Sequence, residues 1–101
     1  MKRGGYVYII TNKNNTTLYT GVTADLQMRV WQHITHFYPK SFTARYNLNK
    51  LVYYEFYSTI EEAIAVEKQI KAGSRKRKEA LINAKNPEWI DLYIFDEIKL
   101  W

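Results

Sequence analysis

The run Tyr6-Val7-Tyr8-Ile9-Ile10-Thr11 constrains the fold most, because all six residues are β-branched or aromatic. Such side chains suit a pleated strand and lose rotamer freedom in a helix. The polar stretch Asn12 to Thr16 follows, and Thr17 to Gly21 returns to strand-like composition. The chain therefore opens on a β-hairpin. Alternation puts Tyr6, Tyr8 and Ile10 on one face of the first strand. Tyr19 lies on the strand that pairs with it, and only the register decides whether it shares that face.

The rest of the chain supplies cover for this sheet. Asp25 to about His36 repeats apolar residues at Leu26, Val30 and Ile34, a helical spacing with Thr23 or Asp25 available as cap. The stretch His36 to Asn49 has no clear period and reads as loop. Lys50 to Tyr57 is a third strand, rich in aromatics. Ser58-Thr59-Ile60-Glu61 fits a capping box opening a helix from Thr59 to Ala72, stopped by Gly73. Ser74 caps a strongly basic helix to about Asn83. Asn86-Pro87-Glu88 starts a short last helix to about Phe95. The order ββαβαα plus a short C-terminal helix predicts an α+β domain, a small three-stranded, mainly antiparallel sheet flanked by helices. With 101 residues the chain holds a single domain, its core spanning about 5–83 and a helical extension about 84–101.

Composition narrows the function. There is no cysteine, which removes disulfide frameworks, thiolate zinc sites and a cysteine nucleophile. The apolar stretch Tyr6 to Ile10 is too short for a membrane span or a signal-peptide core. A soluble, cytoplasmic domain without a membrane partner is expected. The net charge of +5 is unevenly spread. Residues 1 to 50 carry Lys2, Arg3, Lys13, Arg29, Lys40, Arg45 and Lys50 against Asp25 alone. Within the second half, Lys68 to Lys85 holds Lys68, Lys71, Arg75, Lys76, Arg77, Lys78 and Lys85 against Glu79. Clustered cations beside nine tyrosines point to a polyanion such as nucleic acid.

Two groups of residues resist a purely structural explanation, and a third is mainly core. In the helix Thr59 to Ala72, Ile60, Ala63, Ile64 and Ile70 form a core-facing stripe, and Glu67 falls inside it. A carboxylate there needs a positive or hydrogen-bonding partner, and an i,i+4 pair to Lys71 is the modest version. Arg29, His33 and His36 share one helical face that presents a fixed cation and two titratable groups. That histidine spacing is not a zinc motif. The aromatics Tyr53 to Tyr57 serve the core or, in a protein-interaction domain, a docking surface.

Tyr6-Val7-Tyr8, ten residues, then Tyr19-Thr20-Gly21 resembles the paired tripeptides of the GIY-YIG endonuclease superfamily. Asp25-Leu26-Gln27-Met28-Arg29 is similar to the family's helix with its catalytic arginine. Ala65-Val66-Glu67-Lys68-Gln69-Ile70-Lys71 is similar to the helix bearing its metal-binding glutamate. The resemblance covers about residues 5 to 83 and is closest to small stand-alone bacterial members related to the nuclease domain of the excision-repair C subunit. Tyr6 stands in place of the first tripeptide's glycine, and Val22 where repair nucleases often carry lysine. An asparagine that some restriction-type members place after the glutamate has no clear counterpart, Glu79 and Asn83 being the nearby candidates.

The resemblance implies a metal-dependent nuclease acting on DNA, structure-selective or weakly specific, in repair or recombination. It assigns Tyr8, Tyr19, Arg29 and His33 to catalysis, Glu67 to one Mg²⁺ or Mn²⁺ ion, and Gly21 to a close backbone approach. Lys68, Lys71, Arg75, Lys76, Arg77 and Lys78 would hold backbone phosphates. A chain without a second DNA-reading domain would take specificity from substrate shape or a protein partner. The alternative is a non-catalytic nucleic-acid-binding module that keeps the nuclease fold.

Overall fold

The computed structural model describes residues 4–95. Strand β1 (Gly5–Thr11) lies at the centre of a three-stranded sheet, flanked by β2 (Leu18–Thr23) and β3 (Lys50–Tyr57), both antiparallel to it. Helices α1 (Leu26–Ile34), α2 (Phe42–Arg45), α3 (Ile60–Ala72), α4 (Arg75–Lys85) and α5 (Leu92–Phe95) complete the α+β architecture. Residues 96–101 of the expected extension lie outside the described residues. No helix among the described residues is long and apolar enough to cross a membrane.

Each face of the sheet carries its own core. Tyr8 and Ile10 of β1 pack with Leu26 and Val30 of α1, Leu48 and Leu51. On the opposite face Ile9 packs with Val52, Tyr53 and Ile82 of α4. Both clusters draw on β3, whose register slips between Ile9 and Ile10: Ile9 faces Tyr53, whereas Ile10 faces Leu51. A bulge of one residue changes which side the next side chain takes. Leu51 and Tyr54 thus meet the α1 core, while the neighbours Val52 and Tyr53 meet the α4 core. The aromatics of this strand are mainly structural.

The bulged backbone is satisfied from the C-terminal segment. Asn86 Nδ2 donates to the carbonyls of Val52 (3.1 Å) and Ile90 (2.9 Å), and Asp91 Oδ1 accepts from the Leu51 amide at 3.2 Å. These bonds correct the expected role of Asn86. Its side chain is buried, and Oδ1, the atom a cap would use, accepts from the Ile90 amide (3.2 Å) while Nδ2 holds β3, so no helix starts at Pro87 and α5 begins only at Leu92.

Local signals placed the other helices well. Asp25, Thr59 and Ser74 accept from the amides of Met28, Glu62 and Arg77 and cap α1, α3 and α4. The stretch expected as loop contains the single-turn α2, capped by Ser41, too short to show a period. Helix α1 stops at Ile34, so His36 leaves the Arg29/His33 face and adopts a left-handed conformation with φ of 55°. Ile64 is exposed and does not belong to the α3 stripe, but Glu67 is buried beside Ala63, one turn before it.

Candidate active site

The register resolves the question of the two tyrosines. Tyr8 lies opposite Gly21, and Ile10 opposite Tyr19, so Tyr8 and Tyr19 share the α1 face. Their ring centroids are 6.5 Å apart. A Cβ on Gly21 would fall on the Tyr8 ring and hydroxyl. The glycine therefore leaves space for the phenol to cross β2, a packing reason for this residue type.

Having crossed, Tyr8 Oη meets His33 Nε2 at 2.9 Å, and His33 Nδ1 meets Thr43 Oγ1 at 2.9 Å. Ser41 Oγ lies 3.2 Å from Thr43 Oγ1. Neutral imidazole has one donor and one acceptor nitrogen, so this chain of four side chains is continuous in either tautomer. Burial, reinforced by the Arg29 charge, pushes His33 down to about 4, and the ring is neutral at pH 7. Burial pushes the Tyr8 phenol up to about 12; Tyr19 and Glu67 push the same way and Arg29 opposes them. Both groups are uncharged at neutral pH and ready to share a proton.

Arg29 sits one turn before His33 on α1. Its guanidinium donates to Gln32 Oε1 at 2.9 Å and lies 5.8 Å from the Tyr38 ring centroid. On the α3 side, Glu67 is 6% exposed and ion-paired through Oε2 to Lys71 Nζ at 2.6 Å. Lys71 Nζ in turn lies 5.6 Å from the Tyr19 ring centroid, and the pairing raises the Lys71 pKa. A buried carboxylate with an ammonium on one oxygen is costly as a mere surface pair.

The donor set fits one hard cation with a largely external shell. Mg²⁺ takes one or two carboxylates and fills the remaining positions with water and phosphate oxygens. Glu67 offers one carboxylate, and no group of three or more His, Cys, Asp or Glu is placed to hold a metal among the described residues. Binding there would require Lys71 to give way.

The structure brings Tyr8, Tyr19, Arg29 and His33 together, with Glu67 within electrostatic reach of Tyr8. It does not bring in the whole basic helix. Arg75 donates to the carbonyls of Asn15 (2.6 Å) and Thr16 (2.8 Å) and pairs with Glu79, tying α4 to the hairpin turn. Lys78 Nζ donates to the Gly73 carbonyl at 2.7 Å and so closes the end of α3. Lys68, Lys76 and Arg77 project outward. Thr43 and Ser41 escaped the sequence reading, because no period marks a single turn; the Ser41-x-x-Ala44 cap was the available signal.

Residues 4–80 match the family model described as the GIY-YIG catalytic domain. A UPF0213 protein of Syntrophus aciditrophicus is 36% identical over 83 residues, covering 82% of this chain and 93% of its own. A UPF0213 protein of Clostridium perfringens is 38% identical over 81 residues, with 80% and 85% covered. The solution NMR structure of the UPF0213 protein BH0048 from Bacillus halodurans superposes with a TM-score of 0.56 at 29% identity, covering 96% of each chain.

Proposed function

The chain belongs to the GIY-YIG catalytic domain family, a nuclease family acting on nucleic acid, and on that premise we propose that it is a divalent-metal-dependent endonuclease hydrolysing DNA phosphodiesters. The observation that carries the reading is the Tyr8–His33 hydrogen bond beside Arg29, with the buried Glu67 carboxylate within electrostatic reach of the same phenol. A purely structural core would have little use for four polar groups gathered there.

The residues divide the work by their chemistry. Arg29 binds the non-bridging oxygens of the scissile phosphate, exchanging Gln32 for a charge-assisted contact as negative charge builds. Tyr8 holds the attacking water and takes its proton while passing its own toward His33, so the phenol need not ionise beforehand. Burial and the Arg29 charge keep His33 neutral, and the hydrogen bond to Thr43 holds the ring turned for that exchange. Tyr19 walls the site and orients the substrate. A divalent ion at Glu67 would supply Lewis-acid polarisation of the phosphate. Lys68, Lys76 and Arg77 add phosphate contacts away from the chemistry.

The Lys71–Glu67 ion pair favours a second reading, a non-catalytic module in which Glu67 stays neutralised. The test is cleavage of plasmid, branched and single-stranded substrates in Mg²⁺ or Mn²⁺, with Glu67→Ala and Arg29→Ala as controls. Metal-dependent nicking lost in both folded variants is expected. Equal activity in all three proteins overturns the reading, and metal-independent binding without turnover establishes the module. The family also leaves room for a role in DNA repair or recombination, and for a protein partner that supplies specificity.

A further inference from the structure

Five large rings stand in the open on α1, α2 and the segment between them. Trp31, Phe37, Tyr38, Phe42 and Tyr46 are each between 43% and 54% exposed. They form two arms. In one, Trp31 touches Phe37 (5.8 Å between centroids), Phe37 meets Tyr38 edge-on (5.1 Å), and Tyr38 lies beneath Arg29. In the other, Tyr46 packs on Phe42 (4.7 Å) and Phe42 on Tyr19 (6.2 Å). The arms end on two different groups of the candidate active site.

The segment that carries the rings is cationic, and the carboxylate that reaches them is Asp25, the cap of α1, which lines a pocket with Trp31. From Leu26 to Tyr54 the chain has no carboxylate, but it has Arg29, Lys40, Arg45 and Lys50. Lys40 and Arg45 are exposed and make no side-chain hydrogen bond or ion pair among the described residues. Exposed rings cost free energy in water, so a cluster of them implies a partner. Rings set among unpaired cations match a chain of flat bases joined by phosphates better than the mixed-charge rim of a protein interface.

We propose that this surface is a base-stacking subsite, and that the substrate carries unpaired nucleotides on either side of the cleaved bond. The inference rests on the nuclease reading for the place of cleavage but not for the stacking itself. Bases in a duplex hide their faces against their neighbours, whereas an unpaired strand offers each face to a ring while Arg29, Lys40 and Arg45 follow its phosphates. Stacking of this kind is tolerant of sequence, which suits a chain with little surface for reading base edges.

The experiment measures binding without metal, by fluorescence anisotropy, to labelled oligothymidine, an abasic strand of equal phosphate number and a duplex of equal length. Wild type, Phe37→Ala, Phe42→Ala and Phe37→Trp are compared, each checked for an unchanged melting curve. Oligothymidine should bind best, and each alanine variant should lose about tenfold on it. The abasic strand should be indifferent to both alanine variants, and Phe37→Trp should restore binding. Equal affinity for thymidine and abasic strands overturns the proposal, as does an alanine effect of the same size on both. Self-association of the protein that Phe37→Ala abolishes, without any base dependence, also overturns it. Cleavage of the same oligothymidine by wild type in Mg²⁺ or Mn²⁺, with Glu67→Gln as the inactive control, separates the two claims. Base-dependent binding by a protein that never cleaves refutes only the nuclease reading; cleavage without base dependence refutes only the subsite.

Discussion

Arg29 and Arg75 both lie in the N-terminal half of a helix, one partly buried and the other exposed, and their surroundings differ. Arg75 is spent on the carbonyls of Asn15 and Thr16 and on Glu79, so its charge holds α4 against the hairpin. Arg29 contacts Gln32, lies beside Tyr8 and has no salt bridge to a carboxylate among the described residues, so its charge is available to a phosphate. The same contrast separates their regions. The segment Lys68 to Lys85 is the more basic in sequence, but three of its cations, Arg75, Lys78 and Lys85, cap or brace backbone. The region from α1 to α2 has fewer cations, set among exposed rings and next to the Tyr8–His33 bond. A cation's partner therefore says more about whether its charge is available to a ligand than the number of cations does.

The comparison breaks most decisively at the reacting groups. Arg29→Ala should lower metal-dependent cleavage by about 10²–10³-fold with the fold retained, whereas Arg75→Ala should leave the rate per bound substrate nearly unchanged. Comparable rate losses in the two variants would erase the distinction. Tyr8→Phe should lower cleavage by about 10²-fold or more. It should also destabilise the protein by about 1–3 kcal/mol in urea melts, because a buried His33 nitrogen is left unpaired.

His33 makes the polar face sensitive to acid. Its pKa is about 4 in the folded protein against an ordinary 6.5, so below 6.5 the unfolded chain accepts a proton that the native state refuses. Stability should decline as pH falls from about 6.5 toward 5, and His33→Asn should flatten that slope. A slope identical in the two proteins would show that His33 is not held neutral by its surroundings.

Smaller effects should sort the cations themselves. Arg75→Ala should cost about 1 kcal/mol of stability by loosening the hairpin turn. Arg77→Ala should leave the melting curve unchanged and reduce the slope of log affinity against log salt by about one. An Arg75→Ala variant that melts like wild type but shows the salt effect would reverse the assignment.

Much of this architecture was legible because its causes are local. The bounds Lys50 to Tyr57 of β3, the caps Thr59 and Ser74, and the alternation along Tyr6 to Ile10 depend on neighbours in the chain. Glu67 was marked because it interrupted an apolar stripe. The errors arose where a side chain answers to a distant partner. Asn86 looked like a helix cap and instead satisfies the β3 bulge, while His36 kept the helical spacing but lay past the end of α1.

The sequence by itself therefore determined the strands, the main helices, the family and the identity of the polar residues on the buried side of α1 and α3. Tertiary structure alone decided that Tyr8 and Tyr19 share a face, that Gly21 gives the Tyr8 ring room, and that Thr43 completes the hydrogen-bond chain through His33. It also decided which cations are spent on backbone and which remain for a ligand. The reason is physical. Propensity and capping act over a few residues, whereas register, burial and the pairing of charges depend on groups that only folding brings together.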